Sequence, residues 1–371
     1  MPASDLKPHQ QRVLDKLEAS EKGLLVYHGL GSGKTLTALS ALKREGGGSV
    51  IGPASLKENF SKENKKHQTK VDVNYSTYAK PRPTDGNLLV YDEAHRMGQQ
   101  GSNASMYHRV FNARKNLLLT GTPIRNNPAE LAPLLNAVGA DVPANPKDFN
   151  EKYIQKVNVR PGFWGRLKGI KDGVEYSPKN LSEFRSKIKG RVDYHGSAKD
   201  EYPTSVERTI NVTMSPSQME AYKAVLKGNP SLAYKVKHDL PASASEAGRM
   251  NAFLNATRQV SNTPGKYHSN NESNKVNRIV QDIHKGVTSD PNYKGVTYSN
   301  YLDSGINPIA KKLREKGIPY GVFNGKIKDS VRAQTVKDYN DNKIKHLLIS
   351  GAGAEGLDLK GTKLMQIMEP H

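Results

Sequence analysis

A glycine-rich segment near the N-terminus, GLGSGKT, has the residue types that bind phosphate groups. Its glycines allow backbone N–H groups to turn inward around an anion, and the start of a helix adds its positive end. Lys34 would then reach the β and γ phosphates of ATP, and the Thr35 hydroxyl would hold Mg²⁺. The predicted nucleotide-binding residues of this segment are Gly29, Gly31, Ser32, Gly33, Lys34 and Thr35.

The match to the strict phosphate-loop pattern is incomplete. His28 occupies the position, six residues before Lys34, where that pattern has glycine. The alternative is a glycine-rich turn followed by a chance Lys-Thr pair. The flanking segments favour the phosphate loop, because an apolar segment, 23–27, precedes it and a helical pattern containing Leu36, Leu39 and Leu42 follows it.

Two adjacent carboxylates, Asp92 and Glu93, open the segment DEAH directly after the apolar residues 87–91. A carboxylate at the carboxyl end of a parallel strand lies at the same sheet edge as a phosphate loop. We therefore predict that Asp92 holds Mg²⁺ and that Glu93 orients and deprotonates the attacking water. His95 is predicted to sense the γ phosphate. An isolated acidic pair is usually a solvated strand end, but the upstream phosphate loop reverses that preference.

The elements that would position these residues are short apolar segments alternating with helical patterns. This alternation predicts the α/β class, with parallel sheets that helices cover on both faces. A helix is predicted over residues 307–316. The predicted strands are 23–27, 49–51, 87–91 and 116–119 in the first third, and 295–298, 320–323, 346–349 and 363–368 near the end.

The middle of the chain differs from both ends. We predict a first ATP-binding lobe over residues 1–140, helical insertions and the connection between lobes over 141–274, and a second lobe over 275–371. Within the middle, residues 206–214 alternate like a strand, and Ser215 and Pro216 open a helix as its cap and first turn. Trp164 could stack on a base, but packing as a loop anchor is the preferred interpretation.

The composition indicates an anionic partner. The 371 residues suit two domains and include 56 Lys and Arg against 36 Asp and Glu, a formal net charge of +20. Nucleic acid is the first candidate, and a basic enzyme without such a partner is the alternative. Each basic cluster taken alone is more often a solvated helix face. The clusters are Lys57, Lys62, Lys65, Lys66 and Lys70; Arg160, Arg166, Lys168 and Lys171; and Lys187, Lys189 and Arg191.

Several classes of protein are excluded by the same composition. The sequence has no Cys, so it has no disulfide, thiolate metal site or Cys nucleophile. No apolar stretch is long enough to cross a membrane, and the first residues, MPASD, lack a secretory signal. We therefore expect an intracellular protein of the cytoplasm, nucleus or virion, and its protein partners are left open.

The motifs together resemble a known family. DEAH with the phosphate loop resembles helicase superfamily two, and the segment LLLTGTPIRNN, continuing into ELAPLLN, resembles the SNF family of ATP-dependent double-stranded-DNA translocases. Viral nucleoside triphosphatases of the poxvirus and large-DNA-virus type share these features. The resemblance implies two RecA-like doubly wound lobes with helical insertions. It also implies a coupling role for Thr120, Gly121 and Thr122.

Further site residues follow from the resemblance. Gln10 in LKPHQ matches the adenine-reading position, and the segment GPASL matches one that touches a DNA strand, with Phe60 where Trp is commoner. Gln218, Tyr222 and the segment NTP at 262–264 match landmarks between the lobes. The implied nucleic-acid contacts are Ser55, Lys57, Ser299, Ser350 and Gly351, and the implied nucleotide contacts of the second lobe are Gly356 and Asp358.

The implied function is a DNA-stimulated ATPase that uses ATP and Mg²⁺ to translocate on duplex DNA, with RNA as the less favoured partner. A strand-separating helicase or restriction-motor subunit is an alternative. The sequence reaches His371 without the family's last motif, which carries an arginine finger. We therefore expect a truncated product whose ATP turnover is low. An arginine finger supplied in trans, or by Arg125 or another arginine of the chain, is one alternative. A non-hydrolysing, ATP-gated DNA-binding module is the other. Such fingers accelerate related nucleotide hydrolases by about 10³-fold or more.

Overall fold

The chain divides into two compact units. The computed structural model describes residues 6–82, 86–99, 115–125, 127–196, 204–351 and 357–369. Unit 1 comprises Met1–Val157 and Tyr176–Val206, and unit 2 comprises Asn158–Glu175 and Glu207–His371. The division into lobes at residues 140 and 274 stays a prediction.

Unit 1 is built on a parallel sheet with the strand order β3-β2-β4-β5-β1-β8. Successive side chains point to opposite faces, so Leu88 and Val90 pack in one core cluster while Leu89 and Tyr91 pack in another. Both faces are therefore buried, as in other parallel sheets. The strands are β1 Gly23–His28, β2 Gly48–Gly52, β3 Asn74–Thr77, β4 Leu88–Asp92, β5 Lys115–Thr120 and β8 Val192–His195.

Helices cover both faces of this sheet. The predicted helix after the phosphate loop is confirmed as α2, in which Leu39 and Leu42 are fully buried. Helices α1 and α2 contribute Val13, Leu17 and Leu39 to one core cluster. The described helices of unit 1 are α1 Pro8–Ala19, α2 Lys34–Arg44, α3 Lys57–Lys66, α4 His95–Gln99, α5 Leu131–Ala137, α6 Pro146–Tyr153 and α8 Leu181–Ile188.

Unit 2 contains a second parallel sheet, in the strand order β10-β11-β9-β12. Its strands coincide with the predicted segments almost residue for residue, and α13 confirms the helix predicted over 307–316. The predicted α/β class with parallel sheets is thus confirmed. The elements are β9 Gly295–Tyr298, β10 Tyr320–Phe323, β11 His346–Ile349 and β12 Leu364–Ile367, with α12 Asn274–Ser289, α13 Asn307–Glu315 and α14 Asp329–Asn340.

A helical cluster of α9 Pro216–Lys227, α10 Pro230–Lys237 and α11 Ala247–Asn262 also belongs to unit 2. Ser215 caps α9 as predicted, because its hydroxyl accepts the N–H of Gln218 while the Gln218 side chain accepts the N–H of Ser215. The strand predicted over 206–214 is wrong. Val206 is 75% exposed there, and no described strand pairs with the segment to bury its apolar side chains.

Strands β6 Ile154–Val159 and β7 Gly173–Pro178 form a two-stranded sheet. A short helix, α7 Phe163–Leu167, lies between them in the sequence. Trp164 of α7 is 68% exposed, so its predicted role as a packed loop anchor is wrong. Gly165 and Ile170 take the buried positions of this segment instead. Among the described helices, none combines the length and the apolar character that crossing a bilayer requires.

Candidate nucleotide-binding site

Three neighbouring strands of unit 1 end at one edge of the sheet. β5 lies between β1 and β4, with Tyr27 opposite Thr120 and Asp92 opposite Leu119. The loops that follow these strands therefore begin side by side, at the edge where ligands of parallel α/β sheets bind. Three segments predicted from the sequence meet there. They are the phosphate loop, the DEAH segment and the segment Thr120, Gly121 and Thr122, called the TGT segment below.

The phosphate loop curls around the ammonium group of Lys34. Gly31 and Gly33 have φ angles of +70° and +75°, which a residue with a Cβ adopts only with strain. Lys34 begins α2, and its Nζ donates hydrogen bonds to the carbonyl oxygens of His28 at 3.1 Å and Gly29 at 3.0 Å. Thr35 follows in the first turn of the helix and is half-buried.

Helix α1 holds this loop from the other side. His9 Nε2 donates to the carbonyl oxygen of Ser32 at 2.8 Å, and Gln10 Nε2 donates to that of Gly33 at 3.2 Å. Gln10, the predicted adenine reader, is buried and accepts the N–H of Lys7, so the structure ties it to the loop. Its contact with adenine stays a prediction.

Asp92 is a buried carboxylate facing the lysine. Burial, together with repulsion from Glu93, raises the pKa of Asp92 to about 7, against the attraction of Lys34. Burial likewise lowers the pKa of Lys34, although Glu93 and Asp92 oppose the decrease. A buried carboxylate whose charge is incompletely balanced favours the binding of a cation.

Glu93 and His95 connect the DEAH segment to the strand beside it. Glu93 has a φ of +53°, an uncommon conformation for a residue other than glycine, and such strain concentrates at functional sites. His95 Nδ1 lies 3.1 Å from Thr120 Oγ1 and 3.3 Å from Glu93 Oε2. Thr120 Oγ1 also accepts the N–H of Thr122, at 3.1 Å. The predicted coupling residues therefore meet the predicted catalytic ones.

Gly121 lies close to the same lysine. A Cβ at this position would be 3.8 Å from Lys34 Nζ and 3.5 Å from the carbonyl oxygen of His28. The predicted coupling segment and the phosphate loop are therefore neighbours in unit 1.

The sequence did not predict a role for Asp193. This residue explains why His28 stands where the strict phosphate-loop pattern has glycine. Asp193 lies in β8 with its side chain 1% exposed, and its carboxylate accepts hydrogen bonds from His28 Nε2 at 2.7 Å, Arg12 Nε at 2.8 Å and Lys16 Nζ at 2.7 Å. Burial alone would raise the pKa of Asp193, but these three donors outweigh it and hold the pKa well below its usual range. His28 is thus a buried attachment for the base of the phosphate loop. The unexpected histidine was the single signal in the sequence.

A pair of histidines, His9 and His195, flanks this cluster. The rings of His9 and His195 stack with centroids 4.0 Å apart and planes 7° apart. The backbone N–H of Gly29 donates to the carbonyl oxygen of His195 at 2.9 Å. Strand β8 therefore contacts the phosphate loop through its backbone as well as through Asp193.

The predicted nucleic-acid contacts of unit 1 follow strand β2, which ends at Gly52. Lys57 is exposed at the start of α3, and the side chain of Ser55 lies outside the described residues. Phe60 is buried in the core, with its ring centroid 5.5 Å from that of Tyr75. Phe60 therefore packs as a core residue.

The predicted contacts of unit 2 have differing surroundings. Ser299 is fully buried, and its hydroxyl donates to Glu369 Oε1 at 3.0 Å, so it does not lie at a surface. Ser350 is buried, whereas Gly351 is exposed. Asp358 is exposed, with its carboxylate 3.9 Å from Lys360 Nζ, and Gly356 lies outside the described residues. The roles of these residues stay predictions.

Gln218 and Asn262, which the resemblance matched to family positions between the lobes, belong to a buried polar network. The sequence did not reveal this network. Asn262 Nδ2 donates to Glu369 Oε2 at 2.8 Å, and Lys275 Nζ donates to Asn262 Oδ1 at 3.0 Å. Gln218 Nε2 donates to the carbonyl oxygen of Asn262 at 3.3 Å, at the end of α11. These residues join the helical cluster to the second sheet within unit 2.

The polar groups at the edge of the first sheet fit a nucleotide with Mg²⁺. The buried Ser32 hydroxyl has no hydrogen-bond partner among the described residues, and Lys34 directs its ammonium into the loop. Asp92 supplies a carboxylate for a cation, and the Thr35 hydroxyl is the type of oxygen ligand that Mg²⁺ accepts. The donor set therefore suits phosphate oxygens and a hard cation.

Comparison with known proteins assigns the family. The model of the SNF2-related domain matches residues 57–266, more than half of the chain, and that of the helicase conserved C-terminal domain matches residues 274–371. The chain belongs to the SNF2-related family. The predicted membership in the SNF group of helicase superfamily two is confirmed, and the chain is a helicase-like ATPase.

Relatives of the chain occur in large DNA viruses. The chain is 29% identical to "Putative ATP-dependent RNA helicase L538" of Acanthamoeba polyphaga mimivirus, over 99% of this chain and 81% of that protein. It is 23% identical to the "Termination factor NPH-I homolog" of African swine fever virus, over 94% of this chain and 64% of that protein. These relatives support a viral-type member of the family, the group whose nucleoside triphosphatases share the motifs described above.

Among solved structures, the SWI2/SNF2 ATPase core of Sulfolobus solfataricus in complex with dsDNA is similar at a TM-score of 0.43 and 17% identity. That match covers 94% of this chain and 78% of that one. The fold assignment depends on the two parallel sheets described above.

Proposed function

We propose that the chain is a DNA-stimulated ATPase that translocates along duplex DNA with little sequence preference. The observation that carries the proposal is the convergence of Lys34, Asp92 and Glu93 at one edge of the first sheet. Binding of a nucleotide requires the first of these residues, and hydrolysis requires the two carboxylates as well. A phosphate loop without them would predict nucleotide binding alone.

In this proposal each side chain at this edge of the first sheet has its own role. Lys34 and the backbone of the phosphate loop bind the β and γ phosphates of ATP, and the Ser32 hydroxyl gains its hydrogen-bond partner there. Thr35 and Asp92 hold Mg²⁺, Asp92 most simply through water. Bound Mg²⁺ neutralises charge on the phosphate oxygens.

Glu93 would act on the attacking water. Its backbone is left-handed, and its carboxylate oxygen Oε2 lies 3.3 Å from His95 Nδ1. A carboxylate held in this way can orient a water and accept its proton. The contact between His95 and Thr120 gives a route by which events at the phosphates reach the TGT segment.

Duplex DNA is the favoured partner. The net charge of +20 suits a polyanion, and phosphate contacts make binding insensitive to sequence. The resemblance of residues 117–127 to the SNF translocases favours duplex DNA over RNA. The exposed Lys57 and Gly351 are accessible for phosphate contacts. Stepping would follow from a difference in DNA affinity between nucleotide states.

The test is ATP turnover measured with duplex DNA, single-stranded DNA, RNA and no nucleic acid. We expect the largest stimulation by duplex DNA. Glu93→Gln should abolish phosphate release while ATP binding persists, and Lys34→Ala should weaken ATP binding itself. Glu58→Gln removes the same charge from an exposed glutamate of α3 and serves as the matched control. Full turnover by Glu93→Gln would contradict the assignment of the base.

Separation of RNA strands is a second candidate, favoured by the name of the mimivirus relative. A labelled RNA duplex and a labelled DNA duplex, each with a single-stranded tail, distinguish the two functions. A duplex translocase should leave both intact while hydrolysing ATP. If ATP binds but no nucleic acid stimulates phosphate release, the chain is instead an ATP-gated binding module.

A further inference from the structure

Three large apolar side chains form an exposed ridge on α7. Phe163, Trp164 and Leu167 are 71%, 68% and 70% exposed. The rings of Phe163 and Trp164 meet edge to face, with centroids 5.5 Å apart and planes at 78°. We call these three residues the aromatic ridge. An exposed apolar patch of adjacent large side chains commonly marks a binding surface.

The segment beneath the ridge is anchored to the helical cluster of unit 2. Gly165 packs so closely on Tyr234 that a Cβ there would be 3.2 Å from the tyrosine hydroxyl oxygen. Ile170 is buried, and the N–H of Val174 donates to the carbonyl oxygen of Ala242 at 3.0 Å. The inward face of the segment is therefore fixed by packing, and the aromatic ridge is presented on the outward face.

The surroundings of the aromatic ridge are basic. The acidic residues of the segment 158–175 are Asp172 and Glu175, and the contact of Arg160 with Asp172 is long, at 3.9 Å. Lys168 lies over the ring of Tyr234 at 5.4 Å from its centroid. The exposed basic residues of the segment are Arg160, Arg166, Lys168 and Lys171.

We infer that the aromatic ridge binds unpaired nucleotides of a single-stranded nucleic acid. Bases stack on Trp164 and Phe163, and the neighbouring basic residues bind the phosphates, the combination that single-strand-binding surfaces use. Within a duplex the base faces are already stacked on one another, so the rings have no partner there. A purely apolar protein surface could cover the rings but would offer no anion to these four basic residues. The aromatic ridge belongs to unit 2 and the ATPase edge to unit 1. The inference does not depend on duplex translocation.

Trp164 reports on its own site, because it is the single tryptophan of the 371 residues. The probes are a short oligothymidylate and a blunt-ended DNA duplex of the same length. We expect the oligothymidylate to quench Trp164 fluorescence, and the duplex to leave it unchanged. The affinity for the oligothymidylate should fall with salt. Replacing Arg160 and Lys171 by Ala should reduce the slope of log K against log salt by about 0.7 for each lost phosphate contact.

Substitutions at the aromatic ridge separate stacking from charge. Trp164→Ala should weaken binding of a labelled oligothymidylate by about 5- to 150-fold, as expected for loss of one stacked base, and Trp164→Phe should restore most of it. Met365→Ala, which truncates an apolar side chain 62% exposed on β12, is the matched control and should have no effect. Duplex-stimulated ATP turnover should be the same in all these variants.

Three results would overturn the inference. The first is unchanged Trp164 emission when the labelled oligothymidylate is shown to be bound. The second is equal quenching by the blunt duplex. The third is a shift of Trp164 emission with protein concentration in the absence of nucleic acid, which would show that a second copy of the chain covers the aromatic ridge. Unchanged melting temperatures establish that the exposed-site variants are folded.

Discussion

Replacing Asp92 by Asn should stabilise the metal-free protein at neutral and alkaline pH. Its pKa is raised from the ordinary value of 3.8 to about 7, so the folded state favours the protonated carboxyl group. The contribution of this carboxyl group to the free energy of unfolding is fully present below about pH 4. It is lost as the pH rises through about 7. At 1.36 kcal/mol per pH unit, the loss reaches about 4 kcal/mol above pH 7 and is less than half of that at about pH 5.

The amide of Asn carries no charge and avoids this loss, while its Oδ1 can still accept the N–H of Glu93. This figure for the loss already includes the attraction of Lys34, which opposes the rise in the Asp92 pKa. We expect Asp92→Asn to raise the free energy of unfolding by up to about 4 kcal/mol at about pH 8, an increase in Tm on the order of 10 °C for a domain of this size. The gain should shrink by more than half at about pH 5.

The assay is thermal unfolding of wild type and variant across this pH range, in buffer with a chelator. Adding Mg²⁺ and ATP should stabilise the wild type more than the variant, since a ligand that binds the folded state raises its stability. A variant that is less stable than wild type at about pH 8, or a gain that does not change with pH, would refute the reasoning.

Asp193→Asn is the matched control, because it removes a buried carboxylate from β8 of the same sheet. Its pKa is held low by His28, Arg12 and Lys16, so its charge stabilises the folded state at neutral pH. Removing one partner from a buried ion cluster costs about 3–5 kcal/mol. The two substitutions should therefore change Tm in opposite directions at neutral pH.

Three further predictions concern stability. His28→Gly, which restores the strict phosphate-loop pattern, should lower rather than raise the free energy of unfolding, by about 2–4 kcal/mol in urea, because Asp193 loses a buried hydrogen-bond donor. Lys235→Met should cost about 3–5 kcal/mol, since it leaves Glu246 without the buried ammonium at 2.9 Å, and adding Glu246→Gln should recover part of the loss in the same urea assay. Ser215→Ala should cost about 1 kcal/mol in thermal unfolding, through loss of the α9 cap, whereas Ser215→Asn should cost little.

The features that sequence predicted correctly are those set by local patterns. The segments 295–298, 320–323 and 346–349 are apolar runs with polar or glycine boundaries, and they became β9, β10 and β11 without change. The phosphate loop and DEAH segment could be placed at one edge because both follow such strands. Ser215 with Gln218 is likewise a short-range signal, and it gave the start of α9.

The features that sequence missed depend on distant partners. Strand β8 has the polar sequence VDYH, and its Asp193 meets His28 across 165 residues of chain. The segment 206–214 has a strand-like alternation, yet the alternation is expressed as a strand only where a neighbouring strand accepts its hydrogen bonds. Trp164 was misjudged for a similar reason, since it is Gly165 that packs on Tyr234 of α10 while Trp164 stays exposed.

The position of β8 decides which fragment of the chain can carry the ATP site alone. A fragment of residues 1–140 would lack β8, which pairs with β1 from residues 192–195. Strand β1 would become an unprotected edge with free backbone groups, and His28, Arg12 and Lys16 would lose their shared carboxylate. A fragment ending after Val206 keeps these contacts. Deletions designed to isolate the nucleotide-binding half must therefore retain a segment that lies far beyond its last motif.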